Sequence, residues 1–226
     1  YGLECVKLSG IPVNQPDMAV YEVRRDGNRV GLWYFDPYAR SGKNSGAWME
    51  EFRTQERFGE ALTPIVSNHS NFIKGSLGEP VLISWDDANT MFHEFGHALH
   101  GLLSNVNYPT LAGTNVKRDF MEFPSQVNEY WLATSEVLTR FAIHYQTGKP
   151  IPKELVDKIL AATRFNQGFK SVEYLANAIY DMKIHLAATG GKNIDIAEFE
   201  RATMAEIGMP KEMVLRHPAA AFSHIF

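Results

Sequence analysis

A mainly α (α+β) architecture, with a small N-terminal β-sheet and a helical remainder, follows from three features of this 226-residue chain. Residues 18–35 alternate in the manner of strands around an Asp-Gly pair, apolar residues recur at helical spacing in six segments after residue 83, and glycine or proline separates most of those segments. The expected organisation is one domain over 1–226, β-containing over 1–83 and helical over 84–226.

In order, Met18 to Val23 and Arg29 to Phe35 flank Asp26-Gly27-Asn28 and read as a hairpin. A loop rich in Gly, Ser and Asn follows over 40–46, then a short strand around Pro64-Ile65-Val66, then a break at 75–80. Ser84 with Asp87 three residues on makes an N-terminal capping box for a helix whose apolar residues are Phe92, Phe95, Leu99, Leu102 and Leu103, stopped at Ser104-Asn105. Helical periodicity then runs over Asp119–Thr134, Glu136–Gln146, Lys153–Phe165, Ser171–Ala188 and Ile196–Ile207.

With 22 basic and 26 acidic residues the net charge is −4, so neither a nucleic acid nor a membrane surface is an expected partner. No apolar run reaches the length of a membrane span. The single cysteine, Cys5, can form no internal disulfide, which fits a reducing compartment. The cytoplasm is therefore the expected location, with the periplasm as the alternative. Asn68-His69-Ser70 matches a glycosylation acceptor and is read as fortuitous.

The chemistry concentrates in His93-Glu94-Phe95-Gly96-His97. On a helix, residues four apart share a face, so His93 and His97 can offer two imidazole nitrogens to one metal ion. Glu94, one step round, can take a proton from an attacking water and pass it to a leaving amine. A catalytic zinc takes three protein ligands. Glu122, twenty-five residues after His97, is one candidate for the third, with Ser125 and Gln126 on its face as hydrogen-bonding support; Asp119, Glu129 and His100 are others. His100, His144, His185 and His217 otherwise read as ordinary hydrogen-bonded or exposed histidines.

The strings Phe-His-Glu-Phe-Gly-His-Ala-Leu-His-Gly (92–101) and Gly-Thr-Asn-Val-Lys-Arg-Asp-Phe-Met-Glu-Phe-Pro-Ser-Gln-Val-Asn-Glu (113–129) closely resemble the zinc metallopeptidases of the thimet oligopeptidase family, and within it the bacterial peptidyl-dipeptidases. The likeness runs along the whole chain, through residues 41–49 and the closing 222–226. It implies a zincin-type helical catalytic core and one Zn2+ per chain held by His93, His97 and Glu122. It further implies Glu94 as the catalytic carboxylate, His224 as a donor to substrate or oxyanion, and short peptides as substrates that lose C-terminal dipeptides. A monomer is expected for the intact enzyme.

The chain departs from the family in lacking the Gly-rich, tyrosine-bearing loop after the histidine matched by His224, and the long helical N-terminal region. Tyr1 and Phe226 therefore read as cuts in something longer. Removing one oxyanion donor costs about 100- to 1,000-fold in rate, so this chain alone is expected to be impaired. An oligoendopeptidase of the same family and a non-catalytic metal-binding fragment are the alternative readings.

Overall fold

The computed structural model of the chain describes residues 1–76, 78–188, 191 and 193–222. It has a mixed α/β fold and divides into two compact units, Tyr1–Ile151 and Pro152–Phe226.

The first unit is built on a five-stranded sheet of β1 (Glu4–Leu8), β2 (Ala19–Arg25), β3 (Asn28–Tyr38), β4 (Trp48–Arg53) and β5 (Ile65–Phe72), in the order β1-β2-β3-β5-β4. Only the β3–β5 pair is parallel. The expected hairpin is present: Asp26 and Gly27 both take positive φ, 51° and 77°, as a two-residue turn between right-twisted strands requires. The sheet is larger than expected. β1 is a five-residue edge strand with Glu and Lys among its residues, and β4 breaks alternation at Glu50-Glu51 because Glu51 turns inward. There its carboxylate lies where a Cβ on Gly101 or Gly113 would stand, 2.7 and 2.0 Å away, and burial pushes its carboxyl up against a main-chain hydrogen bond from Thr114.

Across the sheet lies α1 (Trp85–Leu102), entered through the expected capping box: Ser84 Oγ accepts from the Asp87 N–H at 3.0 Å and Asp87 Oδ2 from the Ser84 N–H at 3.1 Å. Val23, Val66, Ala98 and Leu102 form the core between them, with Trp33 edge-on to Phe95. Helix α2 (Arg118–Leu132) packs on the other side of α1, and α3 (Ser135–Phe141) follows, capped by Thr134. The helix expected to reach Gln146 stops at Phe141. His144 Nδ1 accepts the N–H groups of Gln146 and Thr147, and Ile143 pairs with Pro150, so the chain turns back instead.

Residues 39–47 are tied to the sheet through Asp36, which is fully buried. Arg40 Nη1 lies 2.8 Å from both carboxylate oxygens, and His69 Nδ1 lies 3.2 Å from Oδ2. The Lys43 ammonium is 3.2 Å from the same oxygen and donates to the carbonyls of Asp36, Tyr38 and Ser70 at 2.9, 3.0 and 2.5 Å.

The second unit contains α4 (Lys153–Ala162), α5 (Gln167–Ala188) and α6 (Ile196–Glu206). Its core, where α5 meets α6, is Ala176, Tyr180, Met204 and Leu215, with Phe199 edge-on to Tyr180.

Two outcomes follow for stability. A Cβ on Gly96 would stand 2.5 Å from Ser125 Cα and 2.8 Å from Pro124 O, main-chain atoms of α2 that cannot swing aside. Gly96→Ala should therefore cost about 1–3 kcal/mol, read as a lowered urea midpoint. Burial pushes the Asp36 carboxyl up, but hydrogen bonds from Arg40, His69 and Lys43 more than offset it and hold it below the usual carboxylate range. A folded value below the unfolded one means the contribution is complete above about pH 4 and is lost as pH falls through the folded value. The stability gap between wild type and Asp36→Asn should thus be constant from pH 7 to about 5 and shrink towards pH 3, in urea titrations at each pH.

Candidate metal centre

Helices α1 and α2 bring three of the expected ligands together. His93 and His97 project from one face of α1, and Glu122 reaches them from the early part of α2. Glu122 Oε2 lies 3.3 Å from His93 Nε2 and 3.2 Å from His97 Nε2, and the three ligand atoms fall within 4.8 Å of one another. Tetrahedral ligands at zinc bond lengths of about 2.0–2.2 Å are about 3.4 Å apart, so spacing and donor set both fit a zinc ion.

The hydrogen bonding around the trio points the same way. His93 Nδ1 is 2.6 Å from Glu129 Oε1, while Asn89 Nδ2 donates to Glu129 Oε2 at 2.9 Å. An ionised carboxylate only accepts, so in the neutral ring Nδ1 carries the proton and Nε2 turns its lone pair towards Glu122. A lone pair facing a carboxylate oxygen is satisfied by a proton or by a metal ion between them. Ser125 Oγ lies 2.9 Å from Glu122 Oε2 and from the Glu122 carbonyl, and steadies the carboxylate. Burial pushes the His97 imidazole below its usual range against the opposing pull of Glu122, which favours the neutral form a metal requires.

Glu94 follows His93 on α1 and is buried. Burial pushes its carboxyl up; His93 opposes that and Glu122 adds to it. The remaining candidates separate clearly. Asp119 is exposed, a turn before Glu122, and His100 lies beyond His97 with its ring against Phe120. Gln126 is exposed, as are His144, His185 and His217. His224 lies outside the described residues.

Glu129 is thus a partner of His93 rather than a member of the trio. Its spacing carried a signal for this role: Glu129 is two turns from Glu122 on α2, and Asn89 is one turn before His93 on α1. Asn68 and Asn128, whose amides reach the main chain of α1, gave no such signal, because their partners are carbonyls rather than side chains.

A family profile, peptidase family M3, matches residues 1–226. The dipeptidyl carboxypeptidase of Escherichia coli (strain K12) is 42% identical over 229 residues, an alignment covering 100% of this chain and 33% of that protein. That of Salmonella typhimurium is 40% identical over 228 residues, again covering 100% of this chain and 33% of the relative. Oligopeptidase A of Escherichia coli (strain K12) is 34% identical over 237 residues, covering 100% and 34%. The chain spans about a third of the length of the curated relatives it matches.

Replacing the carboxylate behind His93 should weaken the hold of the trio on an added metal ion. Glu129→Gln is expected to weaken zinc binding by about 10- to 100-fold, measured by competition with a chromophoric chelator.

Proposed function

The chain belongs to peptidase family M3, and from that premise we propose that residues 1–226 are a catalytic-domain fragment of a zinc metallopeptidase acting on short peptides and releasing C-terminal dipeptides. The observation that carries the reading is the meeting of His93 Nε2, His97 Nε2 and Glu122 Oε2 beside a buried Glu94. In this proposal the first three residues hold one zinc ion, as in a zincin-type core. The names of the two dipeptidyl carboxypeptidases, at 42% and 40% identity, support dipeptide release.

Held by His93, His97 and Glu122, a zinc ion would supply Lewis acidity for the scissile carbonyl and the attacking water. Glu94 takes the proton from the attacking water and returns it to the leaving amine; a carboxyl raised by burial is suited to both halves of that transfer. Glu129 holds the proton on His93 Nδ1 and so keeps Nε2 as the donor. Ser125 restrains Glu122. His224, on the resemblance alone, is assigned a hydrogen bond to the oxyanion or the substrate.

Internal cleavage is the second reading, favoured by the 34% identity to oligopeptidase A. Among the described residues no helix is long and apolar enough to cross a membrane. The proposed setting is the cytoplasm, with the periplasm as the alternative.

Glu94→Gln, made in the protein that carries this chain, should retain about one zinc per chain by elemental mass spectrometry while hydrolysis falls to background; loss of zinc, or retained hydrolysis, would sink the assignment. Mass spectrometry of products from one peptide with a free or an amidated C-terminus separates the two specificities. A dipeptide-releasing enzyme should cleave only the free form.

A further inference from the structure

Two carbonyls of α1, those of Phe92 and Glu94, bracket His93 in sequence and face different sides of the helix, since residues two apart are turned by about 200°. Each receives a side-chain amide from a neighbouring element in addition to the helix's own bonding. Asn128 Nδ2, on α2, donates to Phe92 O at 2.6 Å, and Asn68 Nδ2, on β5, donates to Glu94 O at 2.7 Å. Both asparagines are buried, at 4% and 3% exposure.

An amide can present either end, and what the far end meets decides which. Asn68 Oδ1 accepts the indole N–H of Trp33 at 2.9 Å. Asn128 Oδ1 accepts the Tyr1 hydroxyl at 3.0 Å, and that hydroxyl accepts the indole N–H of Trp131 at 3.0 Å. An indole nitrogen only donates, so the Tyr1 proton is left for Asn128. In both relays a tryptophan thereby turns the amide nitrogen towards α1.

We propose that Asn68 and Asn128 are positioning residues, a pair of oriented clamps that hold the middle turn of α1 in register with the sheet on one side and with Glu122 on the other. This rests on the reading of His93, His97 and Glu122 as a zinc site. The α2 clamp acts with a second contact: Ser125 backs onto Gly96, one turn from Asn128 and Phe92 on their respective helices. Contact at Gly96 sets how close the helices come, and the Asn128 bond stops them sliding. A slip of one residue, about 1.5 Å, would carry Glu122 out of its position 3.2–3.3 Å from both imidazoles.

The test uses the full chain, freed of metal, as wild type, Asn68→Ala, Asn128→Ala, Trp131→Phe and, as a core truncation on α3, Leu138→Ala. Three quantities are measured: zinc affinity by chelator competition, melting of the metal-free protein, and the visible spectrum with Co2+ in place of zinc. The asparagine variants should lose about 10- to 100-fold in zinc affinity and show an altered Co2+ spectrum. Trp131→Phe should move both readouts the same way by less, and Leu138→Ala should lower melting with both unchanged. Affinity within twofold of wild type and an unchanged spectrum in both asparagine variants would overturn the clamps. So would an equal loss of affinity in Leu138→Ala. If an asparagine variant does not fold, Trp131→Phe decides, and unchanged zinc affinity there overturns the α2 clamp. A wild type that takes up no zinc overturns the metal reading and the clamps with it, whereas zinc binding with indifferent variants overturns the clamps alone.

Discussion

Helix α1 lies against the sheet on one side and α2 on the other, and it can do so only because it carries glycine on both approaches. Gly96 lets the α2 backbone come to where a side chain would otherwise be, and Gly101 does the same for Glu51 and Val66 of the sheet. These contacts are made by main-chain or buried atoms with little freedom to yield, which is the property a site defined to fractions of an ångström needs. The two histidines and the two glutamates that touch them are set by this crossing.

The crossing also concentrates charge. Glu94, Glu122 and Glu129 stand around two imidazoles, with His97 and Glu94 largely withdrawn from water. Burial raises the Glu94 carboxyl, and the Glu122 carboxylate adds to that against the opposing pull of His93. A divalent cation held by His93, His97 and Glu122 would offset the effect of Glu122 on Glu94. The asymmetry within the trio is informative. His93 has a carboxylate behind its outer nitrogen, whereas the outer nitrogen of His97 has no protein partner among the described residues.

Much of this was legible from residue order. The capping box at Ser84 and the hairpin at Asp26-Gly27 followed from local rules, because each is decided by atoms within a few residues, whereas α5 begins at Gln167, four residues before the expected Ser171, and takes in Gly168. That His93 and His97 share a face of α1 was legible because four-residue spacing on a helix is itself a geometric statement. Glu122 was one candidate among several by spacing, since a ligand arriving from another helix depends on how the two cross. β1 and β4 were not legible, as a short edge strand and an inward-facing glutamate both break the alternating pattern. Asn68 and Asn128 were not legible either: a side chain that bonds to a carbonyl leaves no signature in its partner's identity.

Lys43 is surrounded by oxygen: three carbonyls and the Asp36 carboxylate meet its ammonium, whose side chain is 2% exposed. Dissolved ions weaken charge pairs by crowding around them, within a Debye length of about 8 Å at physiological salt, but only where they can approach. The pairs Lys153–Asp157 and Lys74–Asp17 lie open to that crowding, and Lys43 does not. The segment 39–47 is therefore moored by a cation of its own, and brine that frees the molecule's outer charges leaves that mooring fast.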